Sequence, residues 1–416
     1  MTTWPLAGDN MVHELINPAG IGEVDVAVFI PSLNEAENIA LTVKKASMGL
    51  ARDYPSLRSV IVNCDNHSSD GTKDAFFQAE CEVPRIYIST PPDVSGKGAN
   101  IENAFKAAEA LSAKVVVLLD ANLISIKSGW IKSLVDPILT TCAEYVAPLY
   151  IRNRYDSPIT KGLAYPLGRA LFARRVLQPL DVDHAFSGKV NSLFFKTMKP
   201  SSDARGYSAD LYMLSTAVVH NVPICQSFMA HPRITTRSGN ASVKLDVSFK
   251  EVTSVMFDLL IDMHDLWKTN GRSKPTALAG GNLNPVNQAP QVNVDLDFLA
   301  SGYLTIGRRS QEIWNRFFTR QVAEDLAIAL AEADRGMLDF PVDLWRRAVF
   351  DAVLAYRKAG AKDREAIVSS LYPLFLARGY TSYHRFQGLT EREVTSLLEE
   401  EAMVFEAHKN ELVERW

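Results

Sequence analysis

The 416-residue chain has little cysteine, and what it has is scattered: Cys64, Cys81, Cys142 and Cys225 form no Cys-x-x-Cys pair. That spacing argues against a zinc site or a disulfide framework and for free thiols in a reducing compartment. No stretch approaches the ~18 consecutive apolar residues that a membrane-crossing helix needs. Neither sign of charge dominates. The 44 Lys and Arg against 48 Asp and Glu leave −4, which gives no bulk electrostatic case for nucleic acid or an anionic membrane. Met1-Thr2-Thr3-Trp4-Pro5 lacks the basic and apolar regions of a secretory leader, so a cytoplasmic protein is expected. Repeats and low-complexity tracts are missing, as is the Gly-x-x-x-x-Gly-Lys-Ser/Thr loop of P-loop proteins. A hydrophobic content of 47% with 22% charged residues is ordinary for a globular chain. The length suits one large and one smaller domain, or two of middling size.

What is present is an alternation of short apolar runs with helical patterns. Val26-Ala-Val-Phe-Ile-Pro31 reads as a first strand stopped by proline, followed by a helix to about residue 50. Ser59–Cys64 is a second strand, 72–80 a helix, Arg85–Ser89 a third strand, 99–111 an amphipathic helix and 115–119 a fourth strand. Such βαβ units imply a mostly parallel sheet with right-handed crossovers. Further on, 144–150 suggests a strand and 168–178 a helix. Ser192-Leu-Phe-Phe195 and Val222-Pro-Ile-Cys225 suggest short strands. Residues 245–268 carry helical spacing, and 270–298 hold a linker-like run rich in Gly, Asn and Pro. From about 307 the pattern is nearly all helical, with breaks near 335–341, 360 and 379.

The most informative stretch is Val115-Val-Val-Leu-Leu-Asp120-Ala121-Asn122. A buried strand ends there in two oxygen side chains around a small residue. This is a natural place to hold a divalent cation in the crevice at the carboxyl end of an open α/β sheet. Pro31-Ser-Leu33-Asn34-Glu35 ends the first strand, Asp65 ends the second, and Gly96-Lys97-Gly98 precedes a helix. Singly, each has a plainer reading: Asn-Glu as a helix cap, Gly-Lys-Gly as a turn. Together, in this order and at these strand ends, they resemble the GT-A nucleotide-sugar glycosyltransferases over roughly residues 24–235.

That resemblance implies an α/β, Rossmann-like sheet flanked by helices. Residues 1–23 would be a leader, 24–268 the nucleotide-sugar-binding and catalytic domain, 269–298 a linker and 299–416 a helical C-terminal domain. It implies that Pro31, Leu33, Asn34, Glu35 and Asp65 bracket the nucleoside, that Gly96 and Lys97 sit near the diphosphate, and that Asp120 and Ala121 lie at the donor. A nucleoside diphosphate needs its charge neutralised, and a metal with a lysine does so; the cofactor expected is Mg2+ or Mn2+. The later segments Ser187-Gly188-Lys189, Asp210 and His231-Pro-Arg233 look like the retaining GT-A group that makes glucosyl-3-phosphoglycerate or mannosylglycerate. On that likeness Asp120, Asn122 and His231 are the metal ligands, and Asp210, with Lys97, serves the sugar transfer. Arg152, Arg154, Thr160, Ser187, Gly188, Lys189 and Arg233 are acceptor contacts. The donor would be UDP-glucose or GDP-mannose, and the acceptor D-glycerate or 3-phosphoglycerate. The plainer readings are a surface histidine at 231, a helix N-terminal acid at 210 and a solvated loop over 150–161.

Two departures keep alternatives open. The second oxygen ligand of the resembled pattern is an Asp, and Asn122 stands in its place with one negative charge fewer; metal binding of reduced affinity, or partly through water, is expected. The Gln-x-x-Arg-Trp element of inverting polysaccharide synthases is missing, since the residue three before Arg415 is Leu412. An inverting transferase with a lipid or polymer acceptor and Asp210 as base is one alternative, and a sugar-nucleotide binder without turnover is another. Leu344, Ala348, Val349, Ala352 and Val353 read as core or homodimer packing, and Trp314, Phe317 and Phe318 as packing or a cover for the active-site mouth.

Overall fold

The computed structural model describes residues 11–94, 96–197, 208–236, 241–280 and 289–416. Gly206 and Tyr207, just before Asp210, and 281–288 of the expected linker lie outside them. Two compact units are formed: Met1–Ile151, Gln178–Ala241 and Thr276–Ala289 make the first; Arg152–Leu177, Ser242–Pro275 and Pro290–Trp416 make the second. The expected boundaries at 268 and 298 are therefore drawn elsewhere. Residues 152–177 and 242–275 group with the C-terminal helices because their apolar faces are buried against them, as in the Phe249–Phe375 ring stack at 4.6 Å.

The first unit is built on a sheet of β1 (Glu14–Ile16), β2 (Val26–Ser32), β3 (Ser59–Asp65), β4 (Arg85–Ser89), β5 (Val115–Leu118), β6 (Tyr145–Ile151), β8 (Ala185–Ser187), β9 (Ile224–Pro232) and β11 (Ala277–Ala279). In space they lie in the order β1-β4-β3-β2-β5-β8-β6-β9-β11. Strands β7 (Arg174–Arg175) and β10 (Lys274–Pro275) pair separately in the second unit. The register Ser32↔Asp65↔Ser89 and the pairing of β2 with β5 bring the carboxyl ends of four parallel strands to one edge. Most of their residues are buried and rich in Val and Ile, as a parallel sheet covered on both faces demands. Strands β1 and β8 run against the rest. The expected leader thus contains a strand: Glu14–Ile16 pairs with the otherwise open edge of β4.

Helices α1 (Ile39–Asp53), α2 (Thr72–Gln78) and α3 (Lys97–Ala110) follow their strands as expected, and a further helix, α4 (Gly129–Leu139), follows β5. One sheet face carries Val26, Val28, Ile30, Val43, Trp130 and Leu134 in a continuous apolar core. On another side Phe105, Phe186 and Phe194 meet edge to face or tilted at 5.2 to 5.9 Å. Those contacts explain why 192–195 is not a strand: it lies in helix α6 (Gly188–Thr197), which presents Phe194 to that cluster. The strand of this region is the preceding β8.

In the second unit, α5 (Tyr165–Phe172), preceded by one π-helical turn over Thr160–Ala164, packs with the C-terminal helices. Buried Arg169 there bridges Glu399 and Glu406 at 2.6 and 2.8 Å. Helix α7 (Ser208–Val219) belongs to the first unit. Helices α8 (Ala241–Asp262) and α9 (His264–Thr269) lead to α10 (Leu296–Phe317), α11 (Arg320–Asp334), α12 (Val342–Lys358), α13 (Ala361–Phe386), α14 (Glu391–Ala407) and α15 (Lys409–Arg415). The expected breaks near 335–341 and 360 are present, but α13 runs unbroken through 379. Its buried Leu374, Phe375, Arg378 and Thr381 carry the helix past Gly379, where tertiary packing outweighs a propensity cost of about 1 kcal/mol. No described helix is long and apolar enough to cross a membrane.

Gly188 opens α6 where a Cβ would stand 2.2 Å from the Ala113 carbonyl oxygen. Gly188→Ala should therefore cost about 1–3 kcal/mol through forced backbone movement. Gly168→Ala in α5, where nothing lies within 4 Å of the new methyl, should be neutral or gain up to about 1 kcal/mol. Chemical denaturation of the two variants beside the parent measures the contrast.

Candidate active site at the carboxyl edge of the sheet

The loop after β2 and the turn after β3 are tied into one body. Asp65 is fully buried. Its carboxylate accepts from Ser32 Oγ at 2.6 Å, the Ser68 amide at 2.7 Å, Ser68 Oγ at 2.6 Å and the Tyr87 hydroxyl at 2.9 Å. Burial, then the Asp65 charge, pushes the Tyr87 hydroxyl well above its ordinary range, so Tyr87 stays a donor. Asn34 adopts a left-handed φ of 53°, a conformation that Asn tolerates better than bulkier residues. Its amide donates to Ser68 Oγ at 2.8 Å, and its Oδ1 accepts from the Ser69 amide at 3.2 Å. Glu35 is buried and accepts from Asn38 Nδ2 at 2.7 Å. Leu33 stays exposed. Asp65 therefore organises the turn with all four of these donors, and a base would meet a carboxylate already serving them.

Gly96 precedes α3 at φ 116° and ψ 150°, a conformation essentially closed to residues with a Cβ. Its carbonyl accepts from Asn66 Nδ2 at 3.0 Å, and Asn100 Nδ2 donates to the Ser32 carbonyl at 3.0 Å. These bonds lock the loop before α3 to the ends of β2 and β3. Lys97 Nζ then reaches Asp210 Oδ2 at 2.8 Å. Desolvation pulls the lysine down, but the charges of Asp210 and Asp120 outweigh it and raise its pKa, so Lys97 is a cation. Asp210 is fully buried in the first turn of α7. Its Oδ1 has no hydrogen-bond partner among the described residues and faces His184 Nε2 at 3.6 Å, while His184 Nδ1 meets the Tyr145 hydroxyl at 3.1 Å. Asp210 is thus a helix N-terminal acid, as the plainer reading has it, and a fully buried one. It is the centre of a buried polar chain running from Tyr145 to Lys97.

Asp120 stands at the third corner. Thr42 Oγ1 contacts its carbonyl at 3.4 Å and that of Ala121 at 3.2 Å. The Asp120 amide donates to Asp183 Oδ1 at 3.0 Å, and the Asp120 side chain is ion-paired with Arg233. Arg233 Nε donates to Asp183 Oδ2 at 2.7 Å, and the Tyr150 hydroxyl donates to the same oxygen at 2.7 Å. Desolvation acts against the guanidinium charge, but Asp183 and Asp120 prevail and hold its pKa well above the ordinary value. The Thr236 amide donates to the Asn122 carbonyl at 3.2 Å, and Leu123 bridges Thr235. The Asn122 Oδ1 is buried with no hydrogen-bond partner among the described residues. A bulge between β6 and β9, with Ala230 at φ 56°, breaks the strand register just before His231, the kind of local distortion that re-aims side chains near functional sites. Burial, then Lys127, lowers the His231 pKa, which favours the neutral imidazole. Among the described residues no three His, Cys, Asp or Glu side chains are grouped to hold a metal; the expected trio contains two of those types, Asn122 being the third member.

The expected acceptor residues are divided between the two units. Strand β8 is antiparallel to β5, with Ser187 opposite Val115 and Ala185 opposite Val117. Ser187, Gly188 and Lys189 therefore lie at the amino end of β5, away from Asp120. Ser187 Oγ is bound to Glu144, and the Gly188 amide to the Lys114 carbonyl. Arg152, Arg154 and Thr160 belong to the second unit. Arg152 pairs there with Asp156 at 3.0 Å, and Arg154 holds Glu391 at 3.0 Å and the Phe386 carbonyl at 3.3 Å. Thr160 is buried at the start of the π-helical turn. Of that set, Arg233 is the side chain at the Asp120 corner. The same strand reversal delivers residues that the sequence reading missed. Asp183 and His184, at the start of β8, reach the carboxyl edge, where Tyr145 and Tyr150 meet them from β6. The only signal was the polar Asp181-Val-Asp183-His184 run before an apolar strand.

A buried ion pair is far costlier to halve than to remove whole. Lys97→Met should therefore lose about 3–5 kcal/mol by leaving Asp210 without its cation. Lys97→Met combined with Asp210→Asn should recover most of that loss. Denaturation of the two singles and the double reads the coupling directly, and additive effects would refute it.

Residues 24–190 match the family described as "Glycosyltransferase like family 2". A curated glucosyl-3-phosphoglycerate synthase of Petrotoga mobilis is 27% identical over 175 residues, which cover 41% of this chain and 50% of that protein. The chain thus matches half the length of that relative. Solved structures of glucosyl-3-phosphoglycerate synthase from Mycobacterium tuberculosis are also similar. The complex with Mn2+, UDP and glucosyl-3-phosphoglycerate shows 24% identity over 58% of this chain and 80% of that one, with a TM-score of 0.45. The complex with Mg2+ and UDP shows 24% identity over 58% and 79%, also at 0.45. The complex with Mn2+, UDP-glucose and phosphoglyceric acid shows 23% identity over 58% and 79%, at 0.45. Residues 24–190 thus match a glycosyltransferase family model, and the chain resembles glucosyl-3-phosphoglycerate synthase at low identity.

Proposed function

We propose that the chain transfers a hexose from a nucleotide-sugar to a small anionic acceptor with retention of anomeric configuration. UDP-glucose as donor and 3-phosphoglycerate or D-glycerate as acceptor fit best. The observation that supports this reading is the convergence of Lys97 and Asp120 on one edge of the sheet, beside the loop 31–35, within the segment that matches the glycosyltransferase family. The related synthase binds Mn2+ or Mg2+ with UDP, and UDP-glucose with phosphoglyceric acid.

The residues present suit a divalent cation. Asn122 offers a buried oxygen without a hydrogen-bond partner among the described residues, Asp120 a carboxylate on the same loop, and His231 an imidazole on the segment bridged to that loop. These three would hold Mg2+ or Mn2+, which when bound supplies charge to the donor diphosphate. The chain's own residues do the rest. Lys97 adds fixed positive charge where the leaving diphosphate develops negative charge. Asp210 holds the lysine in place, and the rigid turn 65–72 gives the nucleoside a wall. Retention places the acceptor hydroxyl on the face the diphosphate leaves, so the departing phosphate oxygen takes the acceptor proton and the protein positions the pair. The inverting alternative relied on Asp210 as base. That carboxylate is fully buried and bound to Lys97, which disfavours it.

Incubation with UDP-glucose and 3-phosphoglycerate in Mn2+ should give a glycoside with the donor's anomeric configuration by NMR. Asp120→Asn should lower turnover on the order of 100-fold or more. A panel of UDP-, GDP- and ADP-sugars that yields no product with either acceptor would sink the proposal.

A further inference from the structure

The carboxylate best placed to hold a metal already has a cation. Arg233 bridges two acids, with Nη2 on Asp120 and Nε on Asp183 at 2.7 Å. Asp183 is itself immobilised. It is fully buried and takes the Asp120 amide at 3.0 Å, the Tyr150 hydroxyl at 2.7 Å and Arg233. Tyr150 is in turn clamped, its amide donating to Gln178 Oε1 at 2.8 Å and its carbonyl accepting from Gln178 Nε2 at 2.9 Å. The partner on one side of the guanidinium is therefore rigid, and the other, Asp120, keeps a quarter of its side-chain surface exposed. Only a planar fork with several fixed donors can serve two acids this way, which is why an arginine suits the position.

We propose that Arg233, positioned by Asp183, is a built-in counter-cation of Asp120 that a divalent metal must displace, so that this pair sets a low metal affinity in the nucleotide-free protein. The inference rests on the reading of Asp120 as a metal ligand and adds to it a competitor supplied by the chain. With Arg233 in place, Asp120 and Asp183 carry a net charge of about −1 between them rather than −2, and one oxygen of Asp120 is engaged. A metal arriving alone must break a desolvated, charge-assisted contact. When Arg233 leaves Asp120 it remains tethered to Asp183, and its freed N–H groups turn to any anion that arrives with the metal. Metal and nucleoside diphosphate then bind better together than apart, a coupling that is reciprocal by linkage.

The test is Mn2+ binding to the full chain, read as free Mn2+ by electron paramagnetic resonance, with and without UDP. Arg233→Met combined with Asp183→Asn removes one charge of each sign, and the amide keeps the shape of Asp183, which limits damage to folding. Arg233→Gln alone serves as a second variant should the double fail to fold. Either should bind Mn2+ about tenfold or more tighter than the parent without UDP, and should gain less affinity from UDP than the parent does. Asp120→Asn should abolish Mn2+ binding in every background. Variants that bind Mn2+ no tighter than the parent, while the parent binds it with UDP, overturn this inference alone. A parent that binds no Mn2+ even with UDP overturns the metal reading and this inference with it.

Discussion

Three carboxylates, Asp65, Asp183 and Asp210, are fully buried at one edge of a sheet, and the site follows from how each is compensated. A desolvated charge is tolerable only when paired or densely hydrogen-bonded. Asp65 is met by hydroxyls and an amide, Asp210 by Lys97, and Asp183 by Arg233 together with Tyr150 and the Asp120 amide. Each solution draws groups from a different strand or helix. Satisfying the charges therefore stitches the ends of β2, β3, β5, β6, β8 and β9 into one rigid surface.

This surface is preorganised for polyanion chemistry. Two half-buried cations, Lys97 and Arg233, are held by acids that cannot move far, and Asp120 lies near both. Such fixed charge needs no reorganisation when negative charge develops on a leaving group, the condition under which electrostatic stabilisation counts most. The strained backbone sits in the same place. Gly96, Asn34 and Ala230 all take positive φ at the loops that carry Lys97, the 31–35 segment and His231.

The placement of Asn34, Glu35, Asp65, Lys97 and Asp120 at one edge was legible in the sequence because they end or follow parallel strands, which deliver their last residues to the same edge, whereas His231, within β9, was singled out by the family resemblance. Ser187, Gly188 and Lys189 were misplaced for the converse reason. A strand of three residues carries no signal of direction, and β8 is antiparallel. Its first residues reach the site and its last ones leave it, so Asp183 and His184 were missed. Arg233 was singled out as an acceptor contact. Its engagement by two acids depends on a cross-strand partner that no local pattern encodes. Gly379 misled in another way, since burial on α13 outweighs the propensity of a single glycine.

The order of strands and helices, the apolar core and the charged residues at the ends of β2, β3 and β5 were determined by the sequence itself. Hydrophobic periodicity and turn chemistry act over a few residues, and parallel βαβ units then leave one direction for the strand ends. The tertiary structure alone decided which acid meets which cation. Lys97 with Asp210, and Arg233 with Asp120 and Asp183, are each brought together across fifty positions of chain or more. Their pairing is selected by the cost of burying a charge alone, which no short stretch of sequence can express.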